Sequence, residues 1–338
     1  MIEFDDVTKV YPDGTVAIEN VSFEVEEGTT TVLVGPSGCG KTTTMKLVNR
    51  LEDPTEGTVY FDGSDVQQQD KIELRRSIGY VIQEIGLFDH MTVGENVATV
   101  PKLLDWDRER IDDRVDELLE LMDLPPESYR DQYPPELSGG QRQRVGVARA
   151  LAADPDVLLM DEPFGALDPI TRENLQDEFL EIQKQINTTI LFVTHSVEEA
   201  LKMGDRIAVF DVGELVRYDE PRNILEDPGS EFVADFIGSD RMLKLLQVTH
   251  VEEIYQTEVA SAHEDIVDVV ENGSDGEVAP DVVPVRPEES AQVAFSRIMQ
   301  AETEAIPVVD DGEVVGVVTE ERIREETAGP KLTDTEVA

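Results

Sequence analysis

Cysteine and long apolar runs are scarce in this sequence of 338 residues. The single cysteine, Cys39, excludes an internal disulfide and fits a reducing compartment. The longest apolar runs, such as 157–160 and 314–318, fall far short of the about 20 residues that a membrane-spanning helix needs. The start, "MIEFDDVTKV", has neither the basic segment nor the apolar core of a signal peptide. These absences predict a cytoplasmic protein that does not itself cross a membrane.

Basic residues are few as well. The chain has 74 acidic and 28 basic residues, a net charge of −46, and only nine of the bases are lysine. Such a surface repels the phosphate backbone, so nucleic acid is not expected as a partner. The acids are spread along the whole chain, which favours adaptation to high salt over an ordinary acidic protein, because screening makes such charge tolerable.

Strand and helix patterns alternate over most of the chain. Strands are predicted at 21–25, 29–35, 57–63, 78–82, 156–163, 188–193 and 205–210, and helices at 41–51, 139–152, 169–186 and 196–203. A helical stretch over 105–135, with Val115, Leu118, Leu119 and Met122 on one apolar face, is predicted to be inserted into this series. The alternation predicts an α/β fold with a mostly parallel sheet.

The character of the sequence changes near residue 240. Between Leu245 and Val285 there are ten acidic residues and no lysine or arginine. The following segment, 283–323, predicts a strand, a helix, a strand, a turn at "DDGE", a strand and a helix. This order indicates a small, separate α/β module.

A phosphate-binding loop is indicated at "VGPSGCGKTT", 34–43, which fits G-x-x-x-x-G-K-[ST]. It follows an apolar strand and opens a helix, a context that argues against a chance glycine-rich turn. Backbone N–H groups and the positive end of the helix would bind phosphate oxygens. Lys41 is predicted to reach the β- and γ-phosphates and Thr42 to bind Mg²⁺. Cys39 is interpreted as a loop residue and not as a redox site.

The acidic partner of this loop is predicted in "VLLMDE", 157–162. Ligands of open α/β sheets bind beyond the carboxyl ends of the strands, where Asp161 emerges. Asp161 is therefore predicted to hold Mg²⁺ through water, and Glu162 to orient or deprotonate the attacking water. The competing interpretation of Asp-Glu after a strand is a solvated loop.

A second anion-binding helix start is predicted at "ELSGGQRQR", 136–144. Ser138 is placed to cap a helix that begins at Gly139, and two glycines let a phosphate approach the backbone. One chain thus carries two phosphate-binding helix starts, which a single nucleotide site does not require.

Five motifs together resemble the nucleotide-binding subunits of ABC transporters. "GPSGCGKTT", "LSGGQ", "VLLMDEP", "GALD" and "VTHS" have the order and spacing of that family, and the resemblance covers residues 1 to about 240. It implies that Tyr11 stacks on adenine, that Gln83 touches the Mg²⁺ site and the membrane partner, and that His195 contacts the γ-phosphate. Taken alone, a tyrosine is more often packing and a histidine more often a satisfied polar residue.

The resemblance completes the set of candidate site residues. The implied catalytic residues are Glu162, His195 and Gln83, and the implied Mg²⁺ ligands are Thr42, Gln83 and Asp161. The residues implied to bind ATP are Tyr11, Gly35, Pro36, Ser37, Gly38, Cys39, Gly40, Lys41, Thr42, Thr43, Ser138, Gly139, Gly140, Gln141 and Asp168. In the family, two subunits in a head-to-tail homodimer enclose two ATP molecules, and Asp168 links the two sites.

The resemblance also implies import. The stretch "RDQYPPEL" lacks the acidic-glycine element that resembles exporters, and importers carry their ATPase as a separate chain. Segments such as "DEPFGALDPITRENLQDEF" are similar to the ATPases of quaternary-amine and osmoprotectant importers. The implied partners are permease subunits and, indirectly, an extracytoplasmic solute-binding protein, with the ATPase at the cytoplasmic face of the membrane.

The implied architecture is a P-loop NTPase with a RecA-like sheet and an antiparallel β subdomain. It occupies 1–240, with a helical subdomain at about 88–155. Residues 241–284 are expected to be an acidic linker or a degenerate cystathionine β-synthase (CBS) repeat. They precede a CBS-like module at 285–328, which "AIPVVDDGEVVGVVTEERI" resembles, and a tail at 329–338. The module is hypothesised to sense ionic strength or an adenine nucleotide, or only to support dimerisation.

Three alternatives stay open at this point. The transported solute could be a polyamine, a sugar or an anion, because the ATPase chain never touches it. A soluble ABC ATPase of DNA repair or translation is a second possibility, although such proteins carry basic surfaces that a net charge of −46 opposes. A sensory tail on a vestigial ATPase is the third, and the intact Lys41, Asp161, Glu162 and His195 argue against it.

Overall fold

The computed structural model describes residues 1–83, 85–165, 167–186, 188–257 and 283–327. The chain divides into two compact units, Met1–Glu220 and Pro221–Ala338, so the predicted domain end at 240 lies inside the second unit. The segment predicted as linker or degenerate repeat, 241–284, is described only at its two ends. The predicted tail, 329–338, lies outside the described residues.

Ten strands of the first unit form two sheets. In chain order they are β1 (Ile2–Val10), β2 (Val16–Val25), β3 (Thr30–Val34), β4 (Glu56–Phe61), β5 (Ser64–Asp65), β6 (Ile78–Val81), β7 (Val157–Asp161), β8 (Thr189–Thr194), β9 (Arg206–Asp211) and β10 (Glu214–Asp219). One sheet has the order β2-β1-β4-β5 and is antiparallel, and the other has the order β10-β9-β3-β8-β7-β6. This pairing is the predicted combination of a large sheet with an antiparallel β subdomain.

The six-stranded sheet is parallel except for β10, which pairs antiparallel with β9. Every residue of β3, β7 and β8 is buried, as expected for strands covered on both faces. Their apolar runs therefore read as continuous and do not alternate. One core joins the two sheets, and Phe4, Leu33, Met45, Leu159 and Phe210 are among its buried members.

The described part of the first unit also contains helices. In chain order they are α1 (Lys41–Val48), α2 (Lys71–Arg76), α3 (Val93–Val97), α4 (Thr99–Leu103), α5 (Arg108–Leu121), α6 (Pro126–Tyr129), α7 (Gly139–Leu151), α8 (Pro169–Gln185) and α9 (Val197–Met203). Of these, α1, α2, α7 and α9 contact the strands of the six-stranded sheet. Helices α3 to α7 lie between β6 and β7 along the chain, where the helical subdomain is predicted.

The continuous helical stretch predicted over 105–135 is wrong in its extent. Helix α5 ends at Leu121, α6 spans only four residues, and a 3₁₀ turn at Pro134–Glu136 follows. Prolines at 125, 126 and 134 break the stretch, because proline lacks the amide hydrogen and clashes with the preceding turn. The predicted apolar face is confirmed, since Val115, Leu118, Leu119 and Met122 are all buried.

The second unit contains a helix-and-hairpin module. Its elements are α10 (Pro221–Glu226), α11 (Glu231–Ile237), α12 (Arg241–Val248), α13 (Val251–Ile254), α14 (Ala291–Ala301), β11 (Ala305–Asp310), β12 (Glu313–Thr319) and α15 (Glu320–Thr327). The hairpin predicted at "DDGE" is confirmed, and Asp311 and Gly312 both have positive φ, as a tight two-residue turn requires. The strand predicted before α14 is reduced to a single bridge, Val285 to Val308.

Candidate functional site

Four neighbouring parallel strands end at one edge of the large sheet. Strand β3 leads into the phosphate loop, β6 leads to Gln83, β7 ends at Asp161, and β8 leads to His195. The register pairs Val34 with Thr194 and Asp161 with Val193, so these ends lie side by side. The sheet thereby brings together the groups that the sequence places far apart.

The phosphate loop packs closely on its neighbours through two glycines. A Cβ added to Gly40, whose φ is +106°, would lie 2.4 Å from the carbonyl oxygen of Ala17. One added to Gly35 would lie 2.3 Å from the carbonyl oxygen of Phe210. Other residues therefore cannot take these positions without moving the backbone. Pro36, Ser37 and Gly38 form the exposed tip of the loop.

Lys41 lies inside the loop and is buried. Its Nζ donates to the carbonyl oxygens of Gly35 and Pro36, at 2.8 Å each, and lies 3.5 Å from Cys39 Sγ. Helix α1 has no side-chain cap at Gly40, so its first amides are available to an anion. A buried ammonium and uncapped amides suit phosphate oxygens.

The Asp161 carboxylate and the Thr42 hydroxyl lie together at the end of the loop. Thr42 Oγ1 donates to Asp161 Oδ1 at 3.0 Å. Burial raises the pKa of Asp161, the Thr42 hydrogen bond opposes this shift, and the charge of Glu162 adds to it. Burial, together with the charge of Asp161, also raises the pKa of Tyr80 to about 12.

These residues fit a Mg²⁺ ion that is shared with phosphates. Mg²⁺ in nucleotide sites is held by one or two protein oxygens plus water and substrate phosphates. Within the described ranges, no group of three or more His, Cys, Asp or Glu side chains could hold a metal ion. The Thr42 hydroxyl, the Asp161 carboxylate and the Gln83 amide oxygen match a magnesium site that water and substrate phosphates complete.

Glu162, Gln83 and His195 converge beyond the ends of β6, β7 and β8. Gln83 Nε2 donates to Glu162 Oε2 at 3.0 Å, and His195 Nδ1 lies 3.5 Å from the same oxygen. The Glu162 backbone has a φ of +46°, and its N–H donates to the Val193 carbonyl at 2.9 Å. A left-handed conformation at a non-glycine residue is strained and typical of functional positions.

Tyr11 lies at the side of the loop. Its hydroxyl is 3.3 Å from Thr43 Oγ1, and Lys9 Nζ is 5.2 Å from the centre of its ring. The ring is half-buried beside the start of α1. This position suits a flat base whose phosphates occupy the loop.

Ser138 and Gln141 form a reciprocal capping box at the start of α7. Gln141 N donates to Ser138 Oγ at 3.3 Å, and Ser138 N donates to Gln141 Oε1 at 2.9 Å. A Cβ added to Gly140 would lie 3.1 Å from Thr171 Cγ2, whereas one on Gly139 would make only ordinary contact. Within the described part of the chain, Ser138 and Gln141 make no hydrogen bond to the phosphate loop.

Asp168 caps helix α8 by accepting from Thr171 N at 3.1 Å. Hydrogen bonds from the Thr171 side chain and backbone hold the pKa of Asp168 below its usual value. The carboxylate is thus fixed at a helix start, at the end of the segment that follows Glu162.

Two arginines that hold this edge together are missed by motif reasoning. Arg149 of α7 donates to the carbonyl oxygens of Ile85 and Gly86, at 2.9 and 2.7 Å, and so ties the segment after Gln83 to the capped helix. Arg172 of α8 donates to the carbonyl oxygens of Phe164 and Leu167, at 3.2 and 3.0 Å. No motif marks an arginine that donates to the backbone oxygens of another segment of the chain.

A phosphate loop between β3 and a helix, with an acidic residue at the end of β7 one strand beyond the neighbouring β8, defines a P-loop NTPase. Comparison with known proteins narrows this class. A family model described as "ABC transporter" matches residues 18–165, and one described as "CBS domain" matches residues 276–329.

Relatives match over almost the whole chain. It is 45% identical over 325 residues to the carnitine transport ATP-binding protein OpuCA of Listeria monocytogenes, covering 96% of this chain and 76% of the relative. It is 41% identical over 329 residues to the osmoprotectant import ATP-binding protein OsmV of Salmonella typhimurium, covering 96% and 80%. The dimer of the ATP-binding cassette MJ0796 bound to ADP and Pi matches with a TM-score of 0.58 at 34% identity, covering 65% of this chain and 99% of that one.

The chain belongs to the ABC transporter ATP-binding subunits, in the group that contains the ATPases of osmoprotectant importers. It is thus an ATP-binding ATPase with a C-terminal CBS domain, as the resemblance implies. No helix in the described ranges is long and apolar enough to span a membrane. The site residues, the domain limits and the adaptation to salt stay predictions.

We expect Asp161→Asn to raise the melting temperature at neutral pH without Mg²⁺. The raised pKa means that the folded state binds the proton more tightly than the unfolded chain, so the ionised carboxylate destabilises the fold. An asparagine oxygen can still accept from Thr42. The rise should be about 2 to 4 °C for each kcal/mol relieved.

The difference between the two proteins should shrink as the pH falls through the raised pKa, where the folded-state carboxyl binds its proton, and should vanish below about pH 4, where the carboxyl is protonated in both states. Thermal unfolding from about pH 7 to about pH 4 measures it. Asp131→Asn, at an exposed aspartate, is the matched control and should have little effect. A lower melting temperature for Asp161→Asn at neutral pH would contradict this burial argument.

Proposed function

We propose that this chain hydrolyses ATP to drive the import of a quaternary-amine osmoprotectant. The match to curated osmoprotectant-import ATPases over 96% of the chain carries this proposal. Its chemistry is supported by the convergence of Lys41, Asp161, Glu162 and His195 at one sheet edge. The relatives transport carnitine or osmoprotectants by name, and their solute class is extended here to this chain.

The phosphate loop binds the triphosphate of ATP in this proposal. Backbone amides at the start of α1 and the Lys41 ammonium bind the β- and γ-phosphate oxygens, and Tyr11 stacks on the adenine. Thr42, Gln83 and Asp161 would hold Mg²⁺, and the bound ion would neutralise phosphate charge. The partners that Lys41 has in the loop are carbonyl oxygens, which it exchanges for phosphate oxygens.

Glu162 acts as the general base of hydrolysis. Its carboxylate lies within hydrogen-bond distance of Gln83 and close to His195, so three polar groups surround the place of the attacking water. Glu162 accepts a proton from that water, while His195 holds the γ-phosphate and the water in line. The strained backbone of Glu162 fixes the carboxylate at this place.

The helix start at Ser138 serves a second subunit. Two copies in head-to-tail arrangement enclose two ATP molecules, each between the phosphate loop of one copy and Ser138, Gly139 and Gly140 of the other. The similar ATP-binding cassette MJ0796 has been solved as a dimer bound to ADP and Pi, which supports a dimer for this chain. Asp168, fixed as the cap of α8, links the two sites across the dimer.

The homodimer works on permease subunits in the membrane, and it lies at the cytoplasmic face through them. A solute-binding protein outside the membrane delivers the solute. Import of a polyamine, a sugar or an anion is the second candidate, favoured only by the fact that this chain makes no contact with the solute. A net charge of −46 argues against a soluble ATPase that acts on nucleic acid.

We expect Glu162→Gln to bind ATP and dimerise but to lose turnover by about 10²- to 10⁴-fold, the usual contribution of a general base. Phosphate release under saturating Mg²⁺-ATP measures it. Glu173→Gln removes an exposed carboxylate on α8 and is the matched control. Turnover near the wild-type rate in Glu162→Gln would overturn the assignment of the base.

We expect Ser138→Arg to leave the Kd for ATP unchanged and to abolish dimerisation driven by ATP. Arginine places bulk and charge where the phosphates of the second subunit's ATP would lie. Light scattering with ATP, in the Glu162→Gln background, measures the dimer, and calorimetry measures binding. Ser138→Thr keeps the capping oxygen and should still dimerise. An ATP-dependent dimer of Ser138→Arg would exclude the proposed contact.

Transport tests the solute class. Together with its permease and binding protein, the chain should restore uptake of labelled glycine betaine to cells that lack osmoprotectant import, because the same ATPase fold must drive that permease. Lys41→Ala should abolish uptake and serves as the control. Uptake of a labelled polyamine or sugar, without glycine betaine uptake, would replace this solute class by another.

A further inference from the structure

Glu199 is a buried carboxylate for which the proposed mechanism has no role. It lies on the first turn of α9, just after His195, and is only 7% exposed. A buried carboxylate is costly unless hydrogen bonds or a cation compensate for its lost hydration. The partners of Glu199 therefore indicate what it holds in place.

One carboxylate oxygen of Glu199 fixes the turn that carries His195. Thr194 Oγ1 donates to Glu199 Oε2, and Ser196 N in turn donates to Thr194 Oγ1 at 3.1 Å. The residues on both sides of His195 are thereby held. Ser196 and Glu199 have the spacing of a capping box, and Glu199 N donates to Ser196 Oγ at 3.2 Å. The Glu199 carboxylate does not return to Ser196 N, as a capping box requires, but faces the interior.

The other carboxylate oxygen faces helix α8. Gln176 Nε2 donates to Glu199 Oε1 at 3.1 Å, and Arg172 Nε lies 4.0 Å from the same atom. Arg172 also donates to the carbonyl oxygens of Phe164 and Leu167. Those two residues lie in the loop between Glu162 and Asp168. Arg172 therefore connects the Glu199 carboxylate to this loop.

We propose that Glu199 is a positioning residue that sets His195 against the loop that follows Glu162. It touches neither ATP nor the reacting atoms, and it acts through Thr194 on one side and Gln176 and Arg172 on the other. A small displacement of Thr194 on one side, or of Arg172 on the other, changes the 3.5 Å separation of His195 Nδ1 from Glu162 Oε2. The inference rests on the roles proposed above for these two residues.

The test begins with Glu199→Gln, which keeps the shape but removes the charge and one acceptor. We expect kcat for ATP hydrolysis to fall by about ten- to a hundredfold, the scale of a small misplacement, with the KM for ATP and the melting temperature unchanged. Glu173→Gln is the matched control, because it makes the same change at an exposed carboxylate of α8 that lies outside this network. It should leave kcat unchanged.

The exchange E199Q/Q176E separates positioning from general damage. In the exchanged pair, the amide at position 199 donates to the carboxylate at position 176, so one hydrogen bond is restored in the reverse direction. The carboxylate at position 176 stays within about one helical turn of Arg172. We expect the exchange to recover a large part of kcat. If Glu199→Gln does not fold, the pair Thr194→Val and Thr194→Ser tests the same link, since only serine keeps the hydroxyl.

The inference is overturned by an unchanged kcat in Glu199→Gln, or by a loss of kcat that the exchange variant does not recover. For the threonine pair, equal kcat values overturn it. Glu162→Gln, assayed in parallel, distinguishes a failure of the positioning role from a failure of the proposed mechanism. If that variant loses turnover and Glu199→Gln does not, only the positioning role fails. If Glu162→Gln keeps its turnover, the proposed mechanism itself fails.

Discussion

The close packing of the phosphate loop on the backbone around it is the constraint on which the rest of the site depends. Gly40 lies against Ala17 of β2, and Gly35 lies against Phe210 of β9, with no space for a Cβ at either position. The Cys39 carbonyl also accepts from Gly213 N at 3.1 Å. The loop is therefore held by both sheets, and it can bind a ligand without any further ordering of the chain. Pre-organisation of this kind lowers the entropic cost of binding.

The site places charges where the fold alone disfavours them. Lys41 and Asp161 are both buried at the sheet edge, and burial raises the pKa of Asp161. Among the described residues, their hydrogen-bond partners are two carbonyl oxygens, the Cys39 sulfur and one hydroxyl. A phosphate chain with its cation would compensate both charges at once, so binding energy and folding energy are linked at these two residues. This is the electrostatic form of a stability–function trade-off.

Most of the fold and the phosphate loop could be predicted from sequence, because local patterns carry them. The apolar runs of β3, β7 and β8 and the glycine–lysine loop are such patterns. The ends of the helices were harder to predict. The apolar face of α5 favours a longer helix, whereas the prolines that follow it end the helical stretch. Arg149, Arg172 and Glu199 could not be found, because no motif marks them and contacts such as Arg149 to Ile85 and Glu199 to Gln176 are set only by the tertiary fold. The Ser196–Glu199 spacing even favours an exposed cap, whereas tertiary packing turns the carboxylate inward.

The two helix starts that bind phosphate in the proposed mechanism differ in how they satisfy their own amides. Helix α1 has no side-chain cap, so its first N–H groups depend on a ligand. Helix α7 is capped reciprocally by Ser138 and Gln141, so the amides of these two residues have partners before any phosphate arrives. The Ser138 hydroxyl, which accepts from Gln141 N, can still donate its own proton. A capped start with one spare donor and two glycines suits a surface that must be stable in a separate subunit and meets its phosphate only when two subunits close.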